Sequence, residues 1–320
     1  MTKHWIQQMR PHQLVHQLAV MVVLSHFGHT TLERMLTAPI ISLFGTLSFL
    51  LLGDYLHRND DASMGRERLT HYISPAFVVG CIVLCLGVVF ALCYIFGGVF
   101  CVLFVTIMLA ATLLYNIAKH KKKPWLSYAG RWLAGVSLIG VFHTYFHVGI
   151  TFNVLLFAIC AGLLDVAGNI AGDLRDIEGD RVAQLKTLPI LLGTLPTLLI
   201  VTIMHIVAYS VVYSSTKQVF WWWCSLALWP TFALLTTTLS PPRWKHAAVH
   251  GPKLMQLVWL GAALYPTTSE NVWLTSLFIA LLWSLGYLAY THSSIQHPTH
   301  SSPKRTSKRY HSPQNNHLTS

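Results

Sequence analysis

Apolar runs separated by short polar stretches recur from one end of the chain to the other. They cover residues 13–29, 36–53, 75–95, 98–118, 126–143, 150–172, 188–212, 218–239, 254–266 and 272–291, and the run at 254–266 is the shortest. A helix needs about 17–25 mostly apolar residues to cross the hydrocarbon core. In lipid, backbone N–H and C=O groups must be paired within the protein, so each run is predicted to be a helix. The pattern therefore predicts an all-α, polytopic membrane bundle of nine to ten transmembrane helices around a central cavity. Met1–Arg10 is polar, and no small-residue cleavage site follows the first run, so that run is expected to stay as a span.

Charge orients the bundle. With ten spans, the N-terminus, the connections near 54–72, 119–131, 173–187 and 241–253, and the segment after 292 all fall on one side. That side carries all of the 22 Lys and Arg residues except Arg34 and Lys217. By the positive-inside rule it faces the cytoplasm, in the cell membrane if the source is prokaryotic. Nine spans would put Lys304, Arg305, Lys308 and Arg309 on the opposite side, so ten is favoured. Residues 1–292 form the membrane domain. Residues 293–320, rich in Ser, His, Pro and Thr, are expected to be a disordered basic tail able to touch anionic lipid headgroups.

Composition narrows the class. The chain is 53% hydrophobic and 10% charged, against about 25% charged in a typical soluble domain. The net charge of +11 follows from orientation, and no soluble basic domain is present to hold nucleic acid. The six cysteines lie inside apolar runs with no CxxC pair and read as packing residues.

Eight of the eleven acidic residues occupy two connections on the same predicted side: Asp54, Asp60, Asp61 and Glu67 in one, Asp173, Asp176, Glu178 and Asp180 in the other. Asp165, Asn169, Asp173, Asp176 and Asp180 are spaced 4, 4, 3 and 4 apart, which places them on one helical face. Like charges at that spacing repel, and a divalent cation is the simplest compensation. Oxygen-only donors suit Mg²⁺, which often bridges carboxylates to phosphates. Asp165, about two turns inside the bilayer, needs a cavity or a partner. Basic groups lie on the same side. Among them Arg68, Lys119 and Lys186 are candidates for gripping a diphosphate, with Tyr115 and Asn116 one turn before Lys119.

At these residues the chain resembles the UbiA superfamily of intramembrane prenyltransferases. Asp173-Leu-Arg-Asp176-Ile-Glu-Gly-Asp180 and its continuation through Lys186-Thr187-Leu188-Pro189 to Gly193 match that family's DxxDxxxD segment and TLPxxLG motif. Tyr115-Asn-Ile-Ala-Lys119 resembles its YxxxK segment, and Arg10-Pro11 its Arg-Pro pair. The first acidic segment departs from the family's NDxxDxxxD: Gly53 replaces the Asn and His57 the middle Asp, while Asp54, Asp61 and Arg68 remain. The resemblance implies a prenyltransferase that moves a prenyl group from a prenyl diphosphate to an aromatic or other lipophilic acceptor. A hydroxybenzoate, dihydroxynaphthoate, homogentisate, chlorophyllide, haem or glycerol-linked lipid would serve, and quinone biosynthesis is one setting. It implies one Mg²⁺ at each acidic segment, with Asp173, Asp176 and Asp180 at one and Asp54, Asp61 and His57 at the other. Arg68, Lys119 and Lys186 would neutralise phosphate, and Tyr115, Asn116, Asn169 and Asp165 would line the substrate site. Two alternatives stand beside this reading: a terpene cyclase of the same superfamily, and a transporter using Asp165 as an ion relay.

Overall fold

The computed structural model describes residues 11–25, 31–63, 68–216 and 278–286. All regular structure among them is helical. In chain order the helices are α1 (Pro11–Ser25), α2 (Leu32–Leu56), α3 (Arg58–Ser63), α4 (Pro75–His120), α5 (Pro124–Tyr145), α6 (Phe152–Arg175), α7 (Ile177–Val182), α8 (Leu188–Leu192) and α9 (Thr194–Thr216), with a 3-10 turn at Leu69–His71. A further helix, α10, covers residues 278–286 within the expected span 272–291. The expected spans 218–239 and 254–266 and the segment 293–320 lie outside the described residues. Among the described residues, four helices are long and apolar enough to cross a membrane: Leu32–Leu56, Pro75–His120, Phe152–Leu174 and Thr194–Val211.

The 46 residues of α4 would extend about 69 Å if straight, roughly twice a bilayer core. The helix breaks at Gly98, whose φ of 71° and ψ of −166° are far from helical. A left-handed φ favours glycine. The break falls between the expected spans 75–95 and 98–118, so α4 comprises two arms. Around it, the Phe96 carbonyl accepts from Arg34 Nη2 at 3.2 Å and lies 3.1 Å from His147 Nε2, which ties α2 and the end of α5 to the bend.

Local signals set the helix starts. Ser74 precedes Pro75 and accepts from the Phe77 N–H, while Thr151 accepts from the Val154 N–H, so side-chain oxygens cap N–H groups that lack an intrahelical partner. The turn between α4 and α5 is made by lysines. Lys122 has a φ of 58°, and the Lys123 N–H returns to the Ala118 carbonyl at 2.8 Å, a left-handed helix stop. It lays α5 back along α4.

Neighbouring helices pack in a chain: α1 on α2, α2 on α4, α4 on α5, α5 on α6, and α6 on α9. Lipid tails are as apolar as leucine, so helices in a membrane associate through close packing at small residues. A Cβ built on Gly135 of α5 would sit 3.0 Å from the Cα of Gly162 in α6, so only glycine permits that approach. The outer surface carries Val83, Leu84, Ile95, Val99 and Phe100, all more than 60% exposed, as lipid-facing positions require.

Candidate active site

The last two turns of α4 join the two acidic segments. Tyr115 and Lys119, four residues apart, face α6. The Tyr115 hydroxyl donates to Asn169 Oδ1 at 3.1 Å, and Lys119 Nζ donates to Asp173 Oδ1 at 3.1 Å. Asn169 and Asp173 are also four apart, so two helical ladders meet rung for rung. Asn116 and His120, one position further round α4, face α2. A Cβ on Gly53 would lie 3.5 Å from Asn116 Oδ1, and the His57 and His120 rings are 6.4 Å apart between centroids. Gly53 and His57 are the two positions at which the first segment departs from the family pattern.

Helix α5 completes the second segment. The Tyr128 hydroxyl donates to Asp173 Oδ2 at 2.8 Å and accepts from the Leu188 N–H at 3.2 Å. It thereby links α5, α6 and the start of α8. One turn later, Arg131 Nε lies 2.6 Å from Asp165 Oδ2. The Arg131 guanidinium also stands 5.8 Å from the centre of the Tyr115 ring, within cation–π range. Asp165, Asn169 and Asp173 thus form one face of α6, as their spacing predicts, and each meets a group from α4 or α5.

The face does not continue as a single helix. α6 ends at Arg175, and Asp176, with φ of −96° and ψ of 9°, separates it from α7. Asp180 sits on that second short helix. This corrects the expectation of one unbroken line from Asp165 to Asp180. Within the protein, Lys119 and Arg131 pair with Asp173 and Asp165. Asp180 stays close to the group, since Lys119, Asp173 and Asp176 all act on its carboxyl. Burial raises that carboxyl to about 6; Lys119 opposes the rise, while Asp173 and Asp176 add to it. Asp180 and Thr187 are both buried, and the Thr187 hydroxyl acts on the Asp180 carboxyl, while Asn169 Nδ2 is buried without a hydrogen-bond partner.

In the first segment Asp54 and Asp61 are buried. Arg68 Nε approaches Asp61 Oδ2 at 3.4 Å. His71 holds Arg68 in place. The Arg68 N–H donates to His71 Nδ1 at 3.0 Å, which leaves Nε2 to donate to the Arg58 carbonyl at 2.9 Å. Lys186 is exposed, apart from the buried groups. Among the described residues, no three His, Cys, Asp or Glu side chains converge into a ready-made metal cage.

Sequence reasoning missed Tyr128, Arg131, His71 and His120. Arg131 was counted with the connection 119–131, yet it lies a full two turns inside α5. Its three-residue separation from Tyr128 was the available signal, because that spacing puts both on one face.

A family model, the UbiA prenyltransferase family, matches residues 14–249. No curated protein matches the chain in sequence. Solved structures match in fold. A UbiA homologue from Aeropyrum pernix K1 aligns with a TM-score of 0.56 at 16% identity, over 81% of this chain and 96% of its own. A UbiA homologue from Archaeoglobus fulgidus, solved with DMAPP and Mg²⁺, aligns with a TM-score of 0.57 at 14% identity, over 90% of this chain and 99% of its own. A digeranylgeranylglyceryl phosphate synthase aligns with a TM-score of 0.52 at 16% identity, over 93% and 100%. With the family model matching well over half of its length, on top of the paired acidic segments at one end of the helical bundle, the chain belongs to the UbiA prenyltransferase family.

Proposed function

We propose that this protein transfers a prenyl group from a prenyl diphosphate to a lipophilic or aromatic acceptor within the membrane, with Mg²⁺ as cofactor. The observation that carries the reading is the last two turns of α4, where Lys119 reaches Asp173 while His120 meets His57 of the other acidic segment. A diphosphate held there would be flanked by Lys119 and Arg68. The Archaeoglobus homologue was solved with Mg²⁺ and either DMAPP or GPP, which supports the same donor class here.

The second segment fits a divalent cation. Its donors are carboxylate oxygens, and Asp180 is buried where Asp173 and Asp176 act on its carboxyl. Asp173, Asp176 and Asp180 would hold the ion, since Mg²⁺ takes oxygen donors. Bound Mg²⁺ supplies Lewis-acid stabilisation of the charge that grows on the departing diphosphate. Lys119 adds a fixed positive charge to the same end, and its bond to Asp173 positions the ammonium before substrate arrives. Tyr128 holds Asp173 from the other side, so the carboxylate cannot rotate away. The prenyl chain would run along the apolar helix faces, and the acidic end would face the cytoplasm.

Asp165 is read as structural. Its contact with Arg131 gives it the partner that a buried charge requires, and this argues against its use as a transport relay. The test of the proposal is turnover of purified protein with allylic diphosphates of several chain lengths and a panel of acceptors. Product formation should require Mg²⁺ and disappear in Asp176→Asn with the thermal unfolding profile retained. Full activity in EDTA, or in that variant, would end the proposal.

A further inference from the structure

The two acidic segments are chemically unequal. At the second, the donors are all oxygens, with Asp180 buried where Asp173 and Asp176 act on its carboxyl. At the first, the central position is an imidazole. His57 packs 6.4 Å from His120, centroid to centroid, with the rings tilted by 60°. Imidazole is a poor ligand for Mg²⁺, which prefers oxygen donors in a near-octahedral shell. Each segment has one carboxylate paired with a basic group, Asp61 with Arg68 at 3.4 Å and Asp173 with Lys119 at 3.1 Å, so the imidazole is what sets the first apart.

Placement brings both imidazoles together at one end of the bundle. His57 is the C-terminal cap of α2, and His120 is the last residue of α4. Their ring N–H groups can donate to phosphate oxygens, which only accept. The next residue back, Lys119, is already directed at Asp173, so a diphosphate lying between the segments would meet Lys119 and His120 from consecutive positions of one helix.

We infer that the first segment holds no Mg²⁺ and that His57 and His120 contact the diphosphate in its place. The chain would then carry one divalent cation, where the family resemblance implies one at each segment. This inference rests on the prenyl diphosphate reading above.

The test counts metal ions. Full-length protein in detergent is dialysed to equilibrium with Mn²⁺ and inorganic pyrophosphate, and retained Mn²⁺ is measured per chain. One ion per wild-type chain is expected, rising to two in His57→Asp, which restores an oxygen donor. Two ions in the wild type would overturn the inference and leave the prenyl diphosphate reading standing. None at all would overturn that reading itself. A count of one in a folded His57→Asp variant would show that His57 is not what excludes the second ion, and would also overturn the inference. Independently of that variant, His120→Gln should keep one Mn²⁺ while weakening pyrophosphate binding about tenfold, the loss of one hydrogen bond to a charged group. Unchanged pyrophosphate affinity there would remove the proposed contact.

Discussion

Replacing Arg131 by Met isolates the role of the Asp165 pair. The two side chains approach to 2.6 Å, and they are unequally buried, at 39% exposure for Arg131 and 7% for Asp165. Arg131→Met therefore strands a buried carboxylate, and breaking a buried pair in this way costs about 3–5 kcal/mol. A second route gives a similar ceiling. The stranded Asp165 can take up a proton, and protonating a carboxyl of ordinary pKa near 3.9 at pH 7 costs roughly 4 kcal/mol. Asp165→Asn, by contrast, strands a guanidinium that is already partly exposed and can reorient, so its cost should be smaller, about 1–2 kcal/mol. The double variant Arg131→Met/Asp165→Asn removes both charges and should recover much of the loss. Reversible unfolding in mixed micelles, run as a double-mutant cycle, measures all four states. A coupling energy above about 1.5 kcal/mol is expected, with Arg131→Met the worst single change. If both single variants match wild type, or if Asp165→Asn is the more damaging, the reading of this pair as a structural ion pair is refuted.

Tyr128→Phe removes one hydrogen bond to Asp173 and leaves the Leu188 N–H without its acceptor; turnover should fall about tenfold or more with the fold retained, as measured by initial rates beside a melting curve. Gly135→Ala would place a Cβ 3.0 Å from the Gly162 Cα and 3.3 Å from the Asp165 Cβ, so thermal unfolding should show a loss of about 1–3 kcal/mol. The Asp180 carboxyl gives a pH prediction. Moving it from 3.8 to about 6 corresponds to roughly 3 kcal/mol. Because the folded value is raised, this stability is fully present below pH 4 and is lost as pH rises through 6 in metal-free protein. Asp180→Asn should flatten that part of the stability profile, and Mg²⁺ should stabilise wild type more at pH 7.5 than at pH 5.5.

Periodicity made much of this arrangement legible. The spacing of Asp165, Asn169 and Asp173 places them on one face of α6, and the structure gives each a partner there. The four-residue step from Tyr115 to Lys119 likewise predicts a shared face. What spacing could not supply were partners distant in sequence. His57 meets His120, and Asp165 meets Arg131, pairings set by how α4 and α5 pack against α2 and α6. The stop at Asp176 was also hidden, because the acidic spacing continues smoothly through it while the backbone leaves helical geometry. Lys186 is expected on the side of the acidic segments from its place in the chain, and its side chain is exposed; position in the sequence says nothing about which way a loop side chain points.

The central claim is that the carboxylates around Asp180 hold a cation against the diphosphate. An anomalous difference map from crystals grown with Mn²⁺ and a non-cleavable geranyl thiolodiphosphate tests it directly. The strongest peak is expected within about 2.5 Å of an Asp180 or Asp176 carboxylate oxygen and a diphosphate oxygen together, the distance range of carboxylate coordination. A map with no peak at that end of α6, or with the ion bound only beside His57, would contradict it.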